Sequence, residues 1–246
     1  MTAQINLCNV KNEKKGEIRA EVTGNEQKLF IYGDIVGADW QKWSKADTCP
    51  QDVLDLFGGF DKTKPVDICI NSGGGDVFGA LAICSVIGRH LGETRAHIDG
   101  IAASAASVIA CACDTVDMPE YAQMMIHRPW TMAMGNADDL LKACDMLDAA
   151  EESIISIYRG KLADGKTDED LRAALAAETW YSGDSVKDMF NVEVTQSAAA
   201  AAALSDYYGQ YRNRPEPKPD PKEEKAKADK AAQTAALQAV FEKFFK

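Results

Sequence analysis

Apolar and polar residues follow one another in short blocks that predict strands and helices in alternation. The apolar runs at 28–33 and 66–70 predict buried strands, and each is followed by glycine. Between 76 and 91 the apolar positions recur at the spacing of one helix face, and Asp76 stands where a capping acid belongs. This order of elements is typical of an α/β fold.

The same alternation continues through the next hundred residues. Further strands are predicted at 94–98, 115–118 and 122–126, with a helix of small residues at 104–113. A long helical pattern covers 137–162, and its length predicts a helix that projects from the globular body. Residues 168–171 are predicted to form the start of a short helix, and a last compact unit runs from 180 to 195. Strands and helices at this spacing favour right-handed crossovers.

The composition changes near residue 197. An alanine-rich stretch leads to alternating proline and charge at 214–222, which predicts a disordered spacer. Beyond it, an apolar stripe at helical spacing predicts a terminal amphipathic helix that docks on a partner or on itself, the alternative being a frayed end. The predicted domains are an N-terminal segment (1–24), a folded domain (25–197), a linker (198–230) and a C-terminal helix (231–246).

Charge and composition exclude several classes of function. The net charge is −11, and residues 212–246 are net basic, so the body is strongly acidic and unsuited to nucleic acid. No apolar run approaches the roughly 20 residues that span a bilayer, and the N-terminus has no secretory pattern. Seven scattered cysteines indicate a reducing, cytoplasmic setting, and Cys111 with Cys113 lacks further zinc ligands. We therefore expect no metal, cofactor or membrane partner.

The small-residue block at 99–107 suggests a nucleophile. A helix that begins there would present unpaired N–H groups able to stabilise an oxyanion, which makes Ser104 the candidate. The alternative is that Ser104 and Ser107 are small residues in a packing seam. His127 ends an apolar strand and is the candidate base, whereas His90 and His97 suit structural roles. A serine nucleophile needs such a base, and the base needs an orienting carboxylate.

The glycine-rich turn at 71–75 follows the strand at 66–70. Its backbone amides could donate to an oxyanion from the side opposite the Ala105 N–H. Three glycines between a strand and a helix could also hold a phosphate. The turn lacks the Gly-Lys-Ser/Thr ending of a P-loop and the spacing of a dinucleotide fingerprint, so phosphate binding is disfavoured.

Three blocks, at 70–75, 100–105 and 125–129, resemble the ClpP family of serine peptidases in order and spacing. The resemblance covers roughly residues 25–195. It implies a ClpP/crotonase-like α/β fold of repeated β-β-α units wound into a superhelix, with 137–162 as the handle helix. It also implies protein substrates and a homo-oligomeric ring, of seven subunits or of stacked rings.

The resemblance assigns roles to individual residues. Ser104 matches the nucleophile and His127 the general base. Gly75 and the backbone of Ala105 match the oxyanion donors, with Gly74 as a neighbour that could substitute for Gly75. Glu178 stands where the family has an aspartate, and the alternatives for this third residue are Asp114 and Asp117. Gly73 stands where a proline is usual.

The segment 178–183 is more similar to ClpP-like proteases of tailed phages and prophages, which process capsid and scaffold proteins during head maturation. The resemblance implies an ATP-independent serine endopeptidase in the host cytoplasm or the prohead interior. Its substrates would be capsid and scaffold proteins and its own tail, and the C-terminal helix would dock on capsid or scaffold. The alternatives are a housekeeping-type ClpP that works with an ATPase, a crotonase-type acyl-CoA enzyme, and a non-catalytic capsid assembly protein.

Overall fold

The computed structural model describes residues 17–43 and 47–195, which form a mixed α/β fold, as predicted. The predictions for the linker (198–230) and the C-terminal helix (231–246) lie outside these residues. The strands are β1 (Glu17–Thr23), β2 (Glu26–Tyr32), β3 (Val66–Ser72), β4 (Thr94–Ala103), β5 (Thr115–Pro119), β6 (Gln123–Ile126), β7 (Thr179–Ser182) and β8 (Glu193–Thr195). The α-helices are α1 (Pro50–Phe57), α2 (Val77–Ile87), α3 (Ala105–Cys111), α4 (Ala137–Tyr158) and α5 (Asp168–Ala176).

The strands form one sheet in the order β1-β2-β3-β4-β5-β8. β1 and β2 are antiparallel, and the pairs from β2 to β8 along this path are parallel. β1 lies inside the segment assigned to 1–24 from the sequence, yet it pairs with β2 from Glu17 to Thr23. Ile18 and Ala20 are buried in this strand and alternate with charged residues, a period-two pattern that is typical of an edge strand and that the sequence prediction did not use.

Strand β4 contacts two different neighbours along its length. Its first half, at Arg95 to His97, pairs with β5, and its second half, at Ile101 to Ala103, pairs in parallel with β6. β7 then joins β6 in antiparallel pairing. The carboxyl ends of β4 and β6 therefore lie side by side, and these ends carry Ser104 and His127.

The core consists of aliphatic residues from the central strands packed under the helices. Leu29, Ile31, Ile68, Ile70 and Ile98 have almost no exposed surface, as expected for central parallel strands, which are buried and rich in β-branched and aliphatic residues. Burial of each such side chain stabilises the fold by roughly 1.5–3 kcal/mol. This packing fixes the strands that hold the two candidate catalytic residues.

Helix α4 is divided between an exposed and a buried half. Asn136 caps its first turn by accepting from the Asp139 N–H, and the residues up to 149 are largely exposed. Its second half buries Ala150, Ile154, Ile155 and Tyr158. This agrees with the predicted projecting helix, which ends at Tyr158 and continues as a 3-10 turn to Lys161.

Besides β1, two elements differ from the sequence prediction. The strand predicted at 94–98 continues to Ala103, because its small, buried residues pair with β6 despite their low intrinsic strand preference. Helix α1, which begins at Pro50, has no counterpart among the predicted elements. No helix in the described ranges is long and apolar enough to cross a membrane.

Candidate active site

Ser104 occupies a strained turn between β4 and α3. Its backbone has φ 54° and ψ −124°, a left-handed conformation that a residue with a Cβ rarely adopts. A Cβ placed on Gly74 would lie 2.5 Å from the Ala103 carbonyl oxygen and 2.9 Å from the Ser104 Cβ. Glycine is therefore needed at position 74, because a side chain there would prevent the Ser104 turn from approaching the loop that follows β3 this closely. Strain of this kind is typical of functional turns.

His127 lies directly beside Ser104. The Ser104 Oγ is 2.7 Å from the His127 Nε2, a hydrogen bond between residues at the ends of the paired strands β4 and β6. Burial lowers the pKa of His127, and this effect exceeds the opposing effect of the Glu178 charge. A neutral imidazole can accept the serine proton, so the pair has the geometry and the protonation state of a nucleophile and base.

Ser107 differs from Ser104 in every respect that matters for reactivity. It is fully buried, and its hydroxyl contacts the Ser104 and Met125 carbonyl oxygens and the Tyr158 hydroxyl. A hydroxyl already committed to buried partners has no route to a substrate. The structure therefore separates the two serines that the sequence placed in one block.

Glu178 follows helix α5 and lies near the base. In the antiparallel pairing of β6 with β7, Ile126 is opposite Thr179, so residues 127 and 178 directly follow the last pair of this ladder. The negative charge of Glu178 raises the pKa of His127, which places it within electrostatic range of the imidazole. Glu178 also has a left-handed backbone, with φ 51°.

The alternative carboxylates lie elsewhere. Asp114 accepts hydrogen bonds from the backbone N–H and the hydroxyl of Thr94, at the start of β4. Asp117 is 2.9 Å from the Nδ1 of His97, in the half of β4 away from Ser104. The structure therefore brings Glu178, and neither aspartate, to His127.

The predicted oxyanion donors lie at the same place. Gly75 has φ 142°, and Ala105 is the first residue of α3, where N–H groups have no partner within the helix. Among the described residues, neither of these two N–H groups is hydrogen-bonded to an acceptor. The Gly74 N–H instead donates to the Ser72 Oγ at 3.1 Å. The geometry thus favours Gly75 over Gly74 as a donor.

A cavity of about 720 Å³ opens over these groups. Gly75, Ser104, Ala105 and His127 line it together with apolar side chains, namely Val108, Met146, Leu147, Ile154, Trp40 and Trp130. The two tryptophans are 84% and 55% exposed, which is unusual for this residue type. This apolar wall was not predicted from the sequence, although tryptophans in polar segments could have indicated it.

One group in the described residues could offer ligands to a metal ion, namely Asp39, Cys49 and Asp52. The ammonium of Lys42 lies 2.9 Å from the Asp39 carboxylate and 2.7 Å from that of Asp52. The lysine ammonium therefore already neutralises part of the negative charge of these two carboxylates. The group gives no support to metal-dependent catalysis.

Comparison with known protein families identifies the family of this chain. The family model described as Clp protease matches residues 29–189, which is more than half of the chain. The matched range includes Ser104, His127 and Glu178 and ends within the last compact unit of the fold. The chain therefore belongs to the Clp protease family, whose members are serine-type peptidases that typically act on proteins and form oligomeric rings.

Proposed function

We propose that this protein is a serine endopeptidase with Ser104 as nucleophile, His127 as general base and Glu178 as the orienting acid. The observation that carries the proposal is the 2.7 Å contact between the Ser104 Oγ and the His127 Nε2 on the wall of an open cavity. The left-handed backbone of Ser104 supports it, because a strained nucleophile turn exposes the hydroxyl to a substrate.

The reaction follows from these positions. The Ser104 Oγ attacks the peptide carbonyl carbon while its proton passes to the His127 Nε2. The N–H groups of Gly75 and Ala105 stabilise the resulting oxyanion. The imidazolium then gives its proton to the leaving amine as the C–N bond breaks, and Ser104 keeps the acyl group. Water, deprotonated by His127, releases the acid and restores the serine.

Glu178 acts on the imidazolium that forms in this cycle. Burial opposes a positive charge on His127, so the developing imidazolium is costly without a negative partner. Glu178 provides that charge from the position just beyond the Ile126–Thr179 pair of the β6–β7 ladder.

The cavity suits a polypeptide better than an acyl-CoA. Its wall is largely apolar, and Lys42 is the one described lysine or arginine that lines it. The ammonium of Lys42 is already paired with Asp39 and Asp52, so it is not available for the phosphates of CoA. This pairing favours the peptidase over the crotonase-type alternative.

For the biological substrate we propose capsid and scaffold proteins of a tailed phage, cleaved without an ATPase, in a homo-oligomeric ring. The support is the similarity of the segment from Glu178 to Gly183 to phage-type ClpP-like proteases. The C-terminal stretch 231–246, with its apolar stripe, would recruit the enzyme to the capsid or scaffold and be a substrate itself.

The test is co-expression with capsid and scaffold proteins of a tailed phage, for wild type, Ser104→Ala and the control Ser153→Ala. Ser153 is a half-buried serine on α4 whose hydroxyl bonds to the Ala149 carbonyl, away from the cavity lining. Mass spectrometry of the products should show cleaved capsid or scaffold protein with wild type and Ser153→Ala alone. If the capsid and scaffold proteins stay intact while denatured casein is cleaved, the proposed substrate is refuted. The proposed peptidase activity would then still stand.

A further inference from the structure

A buried hydroxyl network lies directly behind the candidate nucleophile. The Ser107 Oγ is 2.7 Å from the Ser104 carbonyl oxygen, 2.9 Å from the Met125 carbonyl oxygen and 2.7 Å from the Tyr158 Oη. Ser107 and Tyr158 are almost completely buried. The network therefore joins three elements: α3 behind Ser104, β6 ahead of His127, and the buried end of α4.

Proton counting fixes the direction of these hydrogen bonds. The two carbonyl oxygens only accept, so the single Ser107 proton must serve one or both of them. The Tyr158 hydroxyl is then the donor to the Ser107 Oγ. Burial raises the pKa of Tyr158 well above its usual value, so this hydroxyl keeps its proton at all working pH values. Tyr158 thus holds Ser107 in the orientation in which it donates to the backbone.

The backbone on both sides of Ser104 is anchored by this arrangement. The Ser104 N–H donates to the Met125 carbonyl oxygen at 2.9 Å. The Ser104 carbonyl oxygen accepts from the Ser107 N–H at 2.9 Å, from the Val108 N–H at 3.3 Å and from the Ser107 Oγ. A left-handed φ of 54° persists only where surrounding contacts determine it, and these contacts do so.

The same anchoring sets the direction of the Ala105 N–H. In a planar trans peptide the carbonyl of one residue and the N–H of the next point in opposite directions. The Ser104 carbonyl is held toward the interior by Ser107, so the Ala105 N–H points away from it, and Ala105 lines the cavity. The orientation of an oxyanion donor thus depends on two side chains behind the turn, of which Tyr158 also reaches the cavity wall.

We propose that Ser107 and Tyr158 are positioning residues that hold the Ser104 turn and aim the Ala105 N–H at the oxyanion. The inference rests on the proposed function, because it assigns these side chains a role in the same reaction. In this proposal the buried end of helix α4 anchors the nucleophile turn, while the first half of the helix is exposed to solvent.

The test uses Ser107→Ala, Tyr158→Phe and the double variant, with Tyr181→Phe as the matched control. Tyr181 is also buried and also packs against Phe190, but its hydroxyl bonds to Thr179 and not to the network. The probe is a fluorophosphonate, whose phosphonyl oxygen occupies the oxyanion position when Ser104 reacts. The maximal inactivation rate, the probe concentration at half this rate and the pH profile are measured on the full chain, together with urea unfolding.

We expect Tyr158→Phe to lower the maximal inactivation rate about tenfold, below the roughly hundredfold loss that a 1 Å misplacement can cause. Ser107→Ala should lower it by a similar or larger factor, and the double variant no further than Ser107→Ala, because the two act through one contact. The half-saturating concentration and the pH midpoint should stay unchanged, since His127 is not displaced. Tyr181→Phe should react at the wild-type rate.

Three results would overturn the inference. Wild-type inactivation rates in Tyr158→Phe and Ser107→Ala would show that the network does not position the turn. If Tyr158→Phe and Tyr181→Phe lose the same fraction of the inactivation rate, and both also lose free energy of unfolding, the effect comes from packing and not from the network. Absence of labelling in the wild-type protein would refute the proposed function itself and the inference with it, an outcome distinct from the first two.

Discussion

Glu178 combines a strained backbone with an electrostatic role, and the two can be separated by substitution. It is the second residue after helix α5, with φ 51°. A left-handed conformation costs a residue with a Cβ roughly 1–2 kcal/mol. Glycine avoids this cost but loses roughly 0.5–1 kcal/mol of chain entropy on folding. Glu178→Gly is therefore expected to raise the free energy of unfolding, by up to about 1.5 kcal/mol.

The same substitution should nearly abolish the reaction of Ser104. Glu178→Gln keeps the shape and the strained backbone but removes the charge that raises the pKa of His127. The pKa of His127 then falls further, so the acid limb of the rate profile moves to lower pH. At the same time the imidazolium loses its stabilising partner. We expect rates about 10²–10⁴-fold below wild type in both variants, the range that general acid–base catalysis supplies.

The assay pairs urea unfolding with the rate of fluorophosphonate inactivation across pH 5–9. Glu178→Ala is the control, because it keeps the backbone strain and lacks the carboxylate, and it should be less stable than Glu178→Gly. A glycine variant less stable than the alanine variant would refute the argument from strain. A glutamine variant with the wild-type rate and pH midpoint would refute the role of the carboxylate.

Two further predictions concern the sheet and the glycine turn. Asp117 raises the pKa of His97, so this pair stabilises the fold below about pH 6.5 and loses its effect as pH rises through the raised pKa. Asp117→Asn should therefore lower the free energy of unfolding at pH 6 more than at pH 9, and an equal loss at both would contradict it. A Cβ on Gly75 would lie 2.0 Å from the Ile35 carbonyl oxygen, so Gly75→Ala should cost at least roughly 1–3 kcal/mol and most of the labelling. Gly160→Ala, with open space around it, should change neither, and measurable damage there would weaken the steric argument.

Much of the fold was accessible from the sequence, because its strands and helices have strong local patterns. The buried run at β3 and the long apolar periodicity of α4 predict elements close to those observed. β1 was missed, although its buried Ile18 and Ala20 alternate with charged residues as in a half-exposed strand. The extension of β4 to Ala103 depends on its pairing with β6, a long-range contact that no local pattern records.

The candidate site was accessible in its parts but not in its geometry. The sequence pointed to Ser104 and His127, and the structure places the two in hydrogen-bonding contact. It left Glu178 open beside Asp114 and Asp117, because the choice depends on the register of β6 with β7. The role of Ser107 as a buried anchor was not visible at all, since it requires Tyr158, far along the chain, to lie against it.

The central claim is that Ser104 is a nucleophile activated by His127, and the most direct measurement maps the adduct of a fluorophosphonate by peptide mass spectrometry. We expect a single adduct on Ser104 in the wild-type protein, none in Ser104→Ala, and a rate lower by about 10²–10⁴-fold in His127→Gln. An adduct on another residue, or labelling of Ser104 at an unchanged rate in His127→Gln, would contradict it.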